Sequence, residues 1–331
     1  MLSMQQAVCR AAVACGAVVS LLNAPVAQAQ YSDDVIRIGF ITDLSGVYSG
    51  PDGPGGVEAI KMAIQEMGGE INGKKIELLV ADHQNKADVA SAKAREWFDQ
   101  KGLDMLIGGT NSSTALAMSK VAADKKKPII VVGAGAPALT NEQCTPYTLN
   151  YAYDTVALAR GTGAAVVKAG GKKWYFLTAD YAFGHALQAD TTKVVEAGGG
   201  TVVGSVKHPL SSADFSSFLL QAQSSKAEIL ALANAGADAT NAIKAANEFG
   251  VTKTMRLAGL IMFHQRHPRD GPAGHAGHVP DRQLVLERVG RDARLEPEVL
   301  RGPQGDAVVV AGGGLLGGAA IPARGQGHGH G

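Results

Sequence analysis

The residues best placed to do chemistry are Ser112 and Ser113, which follow Gly108-Gly109-Thr110-Asn111 and open a run whose apolar residues repeat at helical spacing. Backbone N–H groups at a helix start, joined by a hydroxyl, suit a carboxylate or another small anion. A plain capping role accounts for one serine there equally well. A second segment, Gly133-Ala134-Gly135, follows a short apolar run, and from Gly133 to Ala138 it nominally spells the dinucleotide fingerprint Gly-x-Gly-x-x-Ala. Pro137, Thr140, Asn141 and Pro146 break the helix such a fingerprint requires, and no acidic residue closes a second strand about twenty positions on. A nicotinamide enzyme is therefore the weaker reading.

Nothing catalytic assembles elsewhere. There is no Gly-x-Ser-x-Gly elbow, no Walker loop and no His-Glu-x-x-His pair, so neither an enzyme nor a bound cofactor is expected. His275, His278, His328 and His330 are closely spaced, but they stand among Gly and Ala in a compositionally odd tail. Cys144 has no identifiable histidine partner and reads as a tolerated thiol. The formal net charge of +1 gives no electrostatic reason for nucleic acid or an anionic membrane as partner. A small molecule is the better expectation.

The elements that must position these residues alternate short β-rich runs with longer helical patterns between residues 35 and 260, as parallel βαβ units do. Strands are expected over 35–41, 75–82, 103–107 and 128–132, with helices over 55–67, 86–101 and 112–125. The same grammar then repeats: strands over 173–178, 201–206, 228–233 and 255–259, and helices over 155–169, 183–197, 215–224 and 237–249. Two Rossmann-like lobes fit this α/β pattern better than one long sheet, with lobe one over 30–150 and a partial lobe two over 151–263. Ligands of such sheets sit outside the carboxyl ends of the strands, which is where Ser112 stands.

Three stretches in this order carry a resemblance: Gly39-Phe40-Ile41-Thr42-Asp43-Leu44-Ser45-Gly46 with its Gly-rich loop, Ile107 through Ala115, and Ala179-Asp180-Tyr181-Ala182-Phe183-Gly184-His185. Together they resemble the periplasmic leucine/isoleucine/valine-type binding proteins. The resemblance implies a type I periplasmic binding fold, in which two lobes joined by three crossovers close on a ligand. It also implies a branched-chain amino acid or related small carboxylate or amide as ligand, and an ABC permease with its ATPase as partner. Carried onto this chain, it points to Ser112, Ser113 and the backbone of Gly133, Ala134 and Gly135 in lobe one, with Tyr48 from the first loop. In lobe two it points to Asp180, Tyr181, Phe183 and Asn234. Tyr181 and Phe183 also fit as core residues at a helix start. Where relatives often have a hydroxyl residue, this chain has Gly135, and where amino-acid binders often place a tyrosine it has Asn234-Ala235-Gly236. A ligand other than leucine follows. A damaged copy without transport activity and a ligand-sensing partner of a membrane receptor are the alternatives.

The two ends read differently from the middle. Arg10, the apolar run over 11–22 and Ala27-Gln28-Ala29 have the layout of a secretory signal peptide over 1–29. Its apolar core is too short to span a bilayer of roughly 30 Å. At the other end all 18 lysines precede residue 254 and no aromatic follows Phe263. Read from the second base of each codon, 264–331 permits a string that is rich in aromatics and resumes the pattern of the resembled family. We therefore expect that tail to be out of frame and without ordered structure. The mature chain is expected to be exported and to begin at Gln30; an intact Met1 in a cytoplasmic fraction by mass spectrometry contradicts this.

Overall fold

The computed structural model describes residues 33–262; the expected signal peptide and the 264–331 tail lie outside the described residues. Ten strands, β1 (Val35–Thr42), β2 (Glu70–Ile71), β3 (Lys74–Asp82), β4 (Met105–Gly108), β5 (Ile129–Val131), β6 (Thr148–Asn150), β7 (Lys173–Ala179), β8 (Thr201–His208), β9 (Ile229–Ala233) and β10 (Arg256–Gly259), form two sheets among the described residues. The first has the order β2-β3-β1-β4-β5-β6 and the second β10-β9-β7-β8. Every pairing is parallel except that of β2 with β3.

The helices between them are α1 (Ser49–Asp52), α2 (Pro54–Glu66), α3 (Ala87–Gln100), α4 (Ser112–Lys125), α5 (Thr155–Leu158), α6 (Ala164–Lys168), α7 (Ala182–Ala197), α8 (Ser216–Ser224) and α9 (Gly236–Glu248). The helix expected over 155–169 is continuous from Thr155 to Lys168, with a π-helical turn at Ala159–Gly163 between α5 and α6. The glycine-rich loop after β1 contains the extra helix α1. Strands β2 and β6, two and three residues long, are likewise additions to the expected set.

Burial explains the layering. In β7, Trp174 and Phe176 belong to one apolar cluster and Tyr175 and Leu177 to another, so successive residues pack on opposite faces of the second sheet. A central parallel strand covered on both sides reads as a continuous apolar run, as Trp174-Tyr175-Phe176-Leu177 does. Strand β8, at the edge, alternates exposed and partly buried positions instead. The first sheet has Trp97, Leu106, Met118 and Ile129 in one buried cluster with α3 and α4. On α2 no residue is buried, and Met62 and Met67 are exposed. A shallow groove between α2 and β3, lined by Lys61, Ile64, Ile76 and Leu78, lies on this outer side of the first sheet.

The lobes are joined by more than the chain passing from β6 to α5. Val47 and Tyr48, in the loop after β1, belong to the apolar cluster of lobe two with Phe183, Leu187 and Ala233. The Val47 carbonyl accepts the N–H of Ala237 at 3.0 Å, at the start of α9. Gly236 makes this approach possible: its φ is +61°, and a Cβ there would overlap the Val47 carbonyl oxygen and stand 3.0 Å from Tyr48 Cδ1. Gly236→Ala is expected to cost about 2 kcal/mol or more, from left-handed strain together with overpacking. Urea unfolding measures it, and a loss below about 0.5 kcal/mol, the scale of a neutral surface change, means the loop is not docked in solution.

Candidate functional site

The carboxyl end of β1 carries Thr42 and Asp43, both buried. The Asp43 carboxylate accepts the N–H of Gly46 at 2.7 Å and of Tyr48 at 2.8 Å, and the side-chain amide of Asn85 at 2.6 Å. Asn85 Oδ1 in turn accepts from Asn111 Nδ2 at 3.1 Å. Asn111 caps α4, its Oδ1 taking the Thr114 N–H at 3.1 Å. The cap of α4 is thus Asn111, and Ser112 and Ser113 are its first helical residues. Ser112 is fully buried, and its Oγ accepts the N–H of Ala136 at 3.2 Å. That bond ties α4 to the Gly133–Gly135 segment and leaves the serine proton free to be donated. Pro137–Leu139 is a 3₁₀ turn rather than a long helix, so the Gly-x-Gly-x-x-Ala run does not have dinucleotide-binding geometry.

Gly133, Ala134 and Gly135 are all buried. A Cβ at Gly135 would meet Tyr153 Cε2 at 3.0 Å and Phe183 Cε2 at 3.2 Å, which explains why no hydroxyl residue stands there. Phe183, 4% exposed, and Tyr181 reach this point from α7 and the residue before it. Tyr181 and Tyr48 face each other across the lobes with hydroxyls 2.5 Å apart. Desolvation pushes the phenols of Tyr48, Tyr153 and Tyr181 up, so all three stay neutral and can donate or accept.

Asn234 follows β9 and is fully buried. Its Nδ2 meets His208 Nε2 at 3.0 Å, while His208 Nδ1 lies 2.9 Å from the Pro209 carbonyl. This pattern assigns the proton to Nδ1, and burial lowers the histidine's pKa further, keeping it neutral. Asn234 Oδ1 has no partner. Asp180 follows the carboxyl end of β7. Its side chain is 51% exposed, with His185 at 2.7 Å and Lys207 at 3.4 Å, so its charge is engaged at the surface. Of the other expected residues, Tyr48 meets Tyr181 and Gly135 meets Phe183 across the lobes, and Ser112 is bonded to Ala136, the residue after Gly135.

Four residues not singled out from the sequence join them. Asp52 ends α1, and a Cβ at Gly109 would fall 2.5 Å from its Oδ2 and closer still to Thr42 Oγ1. A Cβ at Gly133 would stand 2.8 Å from Thr110 Oγ1. Tyr153 closes over the group from the crossover. Neither oxygen of Asp52 has a hydrogen bond of good geometry. Burial pushes its carboxyl up to about 6, against the lowering pull of the Thr110 and Thr42 hydroxyls and of the Thr110 backbone N–H. Asp238, in the first turn of α9, is also pushed up to about 6 by burial although Ser211 donates its N–H to Oδ2 at 3.0 Å. Among the described residues no group of three or more His, Cys, Asp or Glu could hold a metal ion.

Two largely parallel α/β sheets, each with its own apolar core and joined through the Val47–Tyr48 loop, make a two-lobed α/β protein. The chain belongs to the periplasmic binding protein family, whose profile matches residues 35–279. A periplasmic binding protein from Burkholderia mallei is 69% identical over 69% of this chain, with a TM-score of 0.68, and 61% of its own length is covered. A branched-chain amino acid ABC transporter periplasmic ligand-binding protein from Burkholderia xenovorans is 37% identical over 68% of this chain and 61% of its own, at a TM-score of 0.56. An ABC transporter solute-binding protein from Rhodopseudomonas palustris, in complex with 3,4-dihydroxybenzoic acid, is 28% identical over 69% and 62%, at 0.62. The chain therefore spans about three fifths of the length of these relatives.

The raised carboxyl of Asp52 has a consequence for stability. The folded state holds its proton more tightly than the unfolded chain, whose carboxyl titrates near 3.8, so its contribution favours folding at low pH and is lost as pH rises through about 6. His83, lowered to about 4 by burial, acts in the opposite direction. Comparing the protein with Asp52→Asn cancels the histidine. Between pH 4 and 7 the stability of the unsubstituted chain relative to Asp52→Asn is expected to fall by on the order of 3 kcal/mol, at about 1.4 kcal/mol per pKa unit. Urea titrations across that range measure it, and parallel pH profiles refute it.

Proposed function

We propose that this chain is a periplasmic solute-binding protein that delivers a small carboxylate to an ABC permease and its ATPase, and that it performs no catalysis. One observation supports this most directly: Ser112, in the first turn of α4, accepts the N–H of Ala136 and so joins a helix start to the loop after β5, where Phe183 of lobe two packs against Gly135. The unpaired N–H groups of a helix start and a serine hydroxyl with a free proton suit a carboxylate. Branched-chain amino acids and aromatic acids, the ligand classes named for the relatives, both carry one.

Closure follows from ligand contacts with both lobes. A solute touching α4 on one side and Tyr181, Phe183 and Asn234 on the other gains its full binding energy only when the cleft is shut, so it shifts the population toward the closed form. That form is what a permease would recognise. Export by the 1–29 segment, with cleavage after Ala29, would place the protein in the compartment where such an importer collects its solute.

Replacing Ser112 and Ser113 together by alanine is expected to weaken carboxylate binding by about 1–3 kcal/mol, the loss of hydrogen bonds to a charged group. Titration calorimetry with leucine, isoleucine and 4-hydroxybenzoate measures it. An unchanged affinity returns both serines to a purely structural role at the helix start.

A further inference from the structure

Building on the carboxylate-binding reading above, we infer that His83 positions the start of α4 for its ligand, acting through Asn85 and Asn111, and that it does so with its ring acceptor rather than its bulk. His83 directly follows β3 and is completely buried. Its backbone N–H donates to the Thr42 carbonyl at 2.9 Å, which pins the residue to the end of β1. Its ring Nδ1 accepts the N–H of Asn85 at 3.0 Å.

That bond holds a turn which the backbone alone disfavours. Gln84 and Asn85 have φ of +52° and +57°, in the left-handed region that residues with a side chain avoid. The Asp82 carboxylate takes the Gln84 N–H at 2.7 Å, and the His83 carbonyl takes that of Lys86 at 2.8 Å, so each link of the turn is tied. With its backbone held in this way, the Asn85 side chain spans two elements. Its amide donates to Asp43 at 2.6 Å, and its oxygen accepts from Asn111 Nδ2 at 3.1 Å. The second of these bonds orients the Asn111 amide: with the nitrogen turned to Asn85, the oxygen faces α4 and takes the Thr114 N–H.

Packing does not account for an imidazole at this place. Because Nδ1 is an acceptor, the neutral ring carries its proton on Nε2, and that atom is buried with no hydrogen-bond partner among the described residues. A phenyl ring would fill the space without stranding a donor. Burial lowers the histidine's pKa to about 4, against the pull of the Asp43 and Asp82 carboxylates, so near neutral pH Nδ1 stays open to Asn85. An unsatisfied N–H on one side of the ring thus accompanies a well-placed acceptor on the other.

The test uses the full ¹⁵N-labelled chain and two variants, with L-leucine and 4-hydroxybenzoate as probes. His83→Phe keeps a ring of similar size and removes the acceptor, whereas His83→Asn gives up bulk but sets an oxygen where Nδ1 stood. Amide exchange of Thr114 reports the cap, and that of Phe176 in β7 corrects for any change in global stability. In His83→Phe the Thr114 amide is expected to exchange about fivefold faster relative to Phe176, the equivalent of a lost helix cap, and the bound probe to bind about fivefold more weakly. In His83→Asn both should stay within about twofold of the unsubstituted chain, because the acceptor is restored. The imidazole ¹⁵N signals of the unsubstituted chain, assigned by their loss in His83→Asn, should show the proton on Nε2. Thr114 exchange or probe affinity unchanged in His83→Phe, equal losses in the two variants, or a proton on Nδ1 overturns the inference, and the last of these needs no variant to fold well. If exchange follows the acceptor but neither probe binds the unsubstituted chain, the positioning of α4 stands and the carboxylate reading falls.

Discussion

The side chain of Asp43 gathers into one point the loop after β1, the turn at Asn85 and, through Asn111, the cap of α4. A buried carboxylate is tolerable when its lone pairs are filled, and three well-formed bonds to one oxygen or the other achieve that. The consequences extend in two directions. One arm of the network holds Tyr48 in place to reach lobe two, and the other sets the first turn of α4, where the ligand's carboxylate is expected. Loss of this one group would unfasten the edge of the cleft from both sides.

The two lobes are variations on one arrangement. Within the first sheet the run β3-β1-β4-β5 has the same order as β8-β7-β9-β10 in the second, so each lobe presents the ends of its strands to the cleft in the same sequence. They differ in how they are covered. The second sheet packs apolar residues on both faces, whereas much of the first sheet's cover lies on the side of α3 and α4.

Most regular elements were legible because their apolar residues recur with a clear period. α4 is the best case: the expected and observed helix both run from Ser112 to Lys125. The pieces that were not legible are short or irregular. Two or three residues, as in β2 and β6, carry no period, and the π-helical turn at Ala159–Gly163 leaves the helical pattern of its neighbours intact. At the site, motif stretches led to Tyr48, Ser112 and Tyr181. Thr42, Asp52, Thr110 and Tyr153 were missed because they come from four segments that meet only when the strands are ordered. A signal was present for two of them, since Thr42 and Thr110 stand where a strand gives way to a loop, the same argument that selected Ser112. Asp180 stands directly after β7, and nothing in the sequence signalled that His185 and Lys207 would pair with its carboxylate.

The docking of the Val47–Tyr48 loop bears on how the protein comes together. The hydroxyl contact between Tyr48 and Tyr181 links residues 133 positions apart, one of the longer loops the chain has to close. Contacts of such separation lower folding rates and form late, once each sheet has its local pairings. Lobe two must therefore condense with a gap in its core, filled only when a loop from the other end of the structure arrives. Until then the surface around Phe183 and Ala233 is wet and adhesive, and that interval is the one in which the nascent protein is most exposed to self-association.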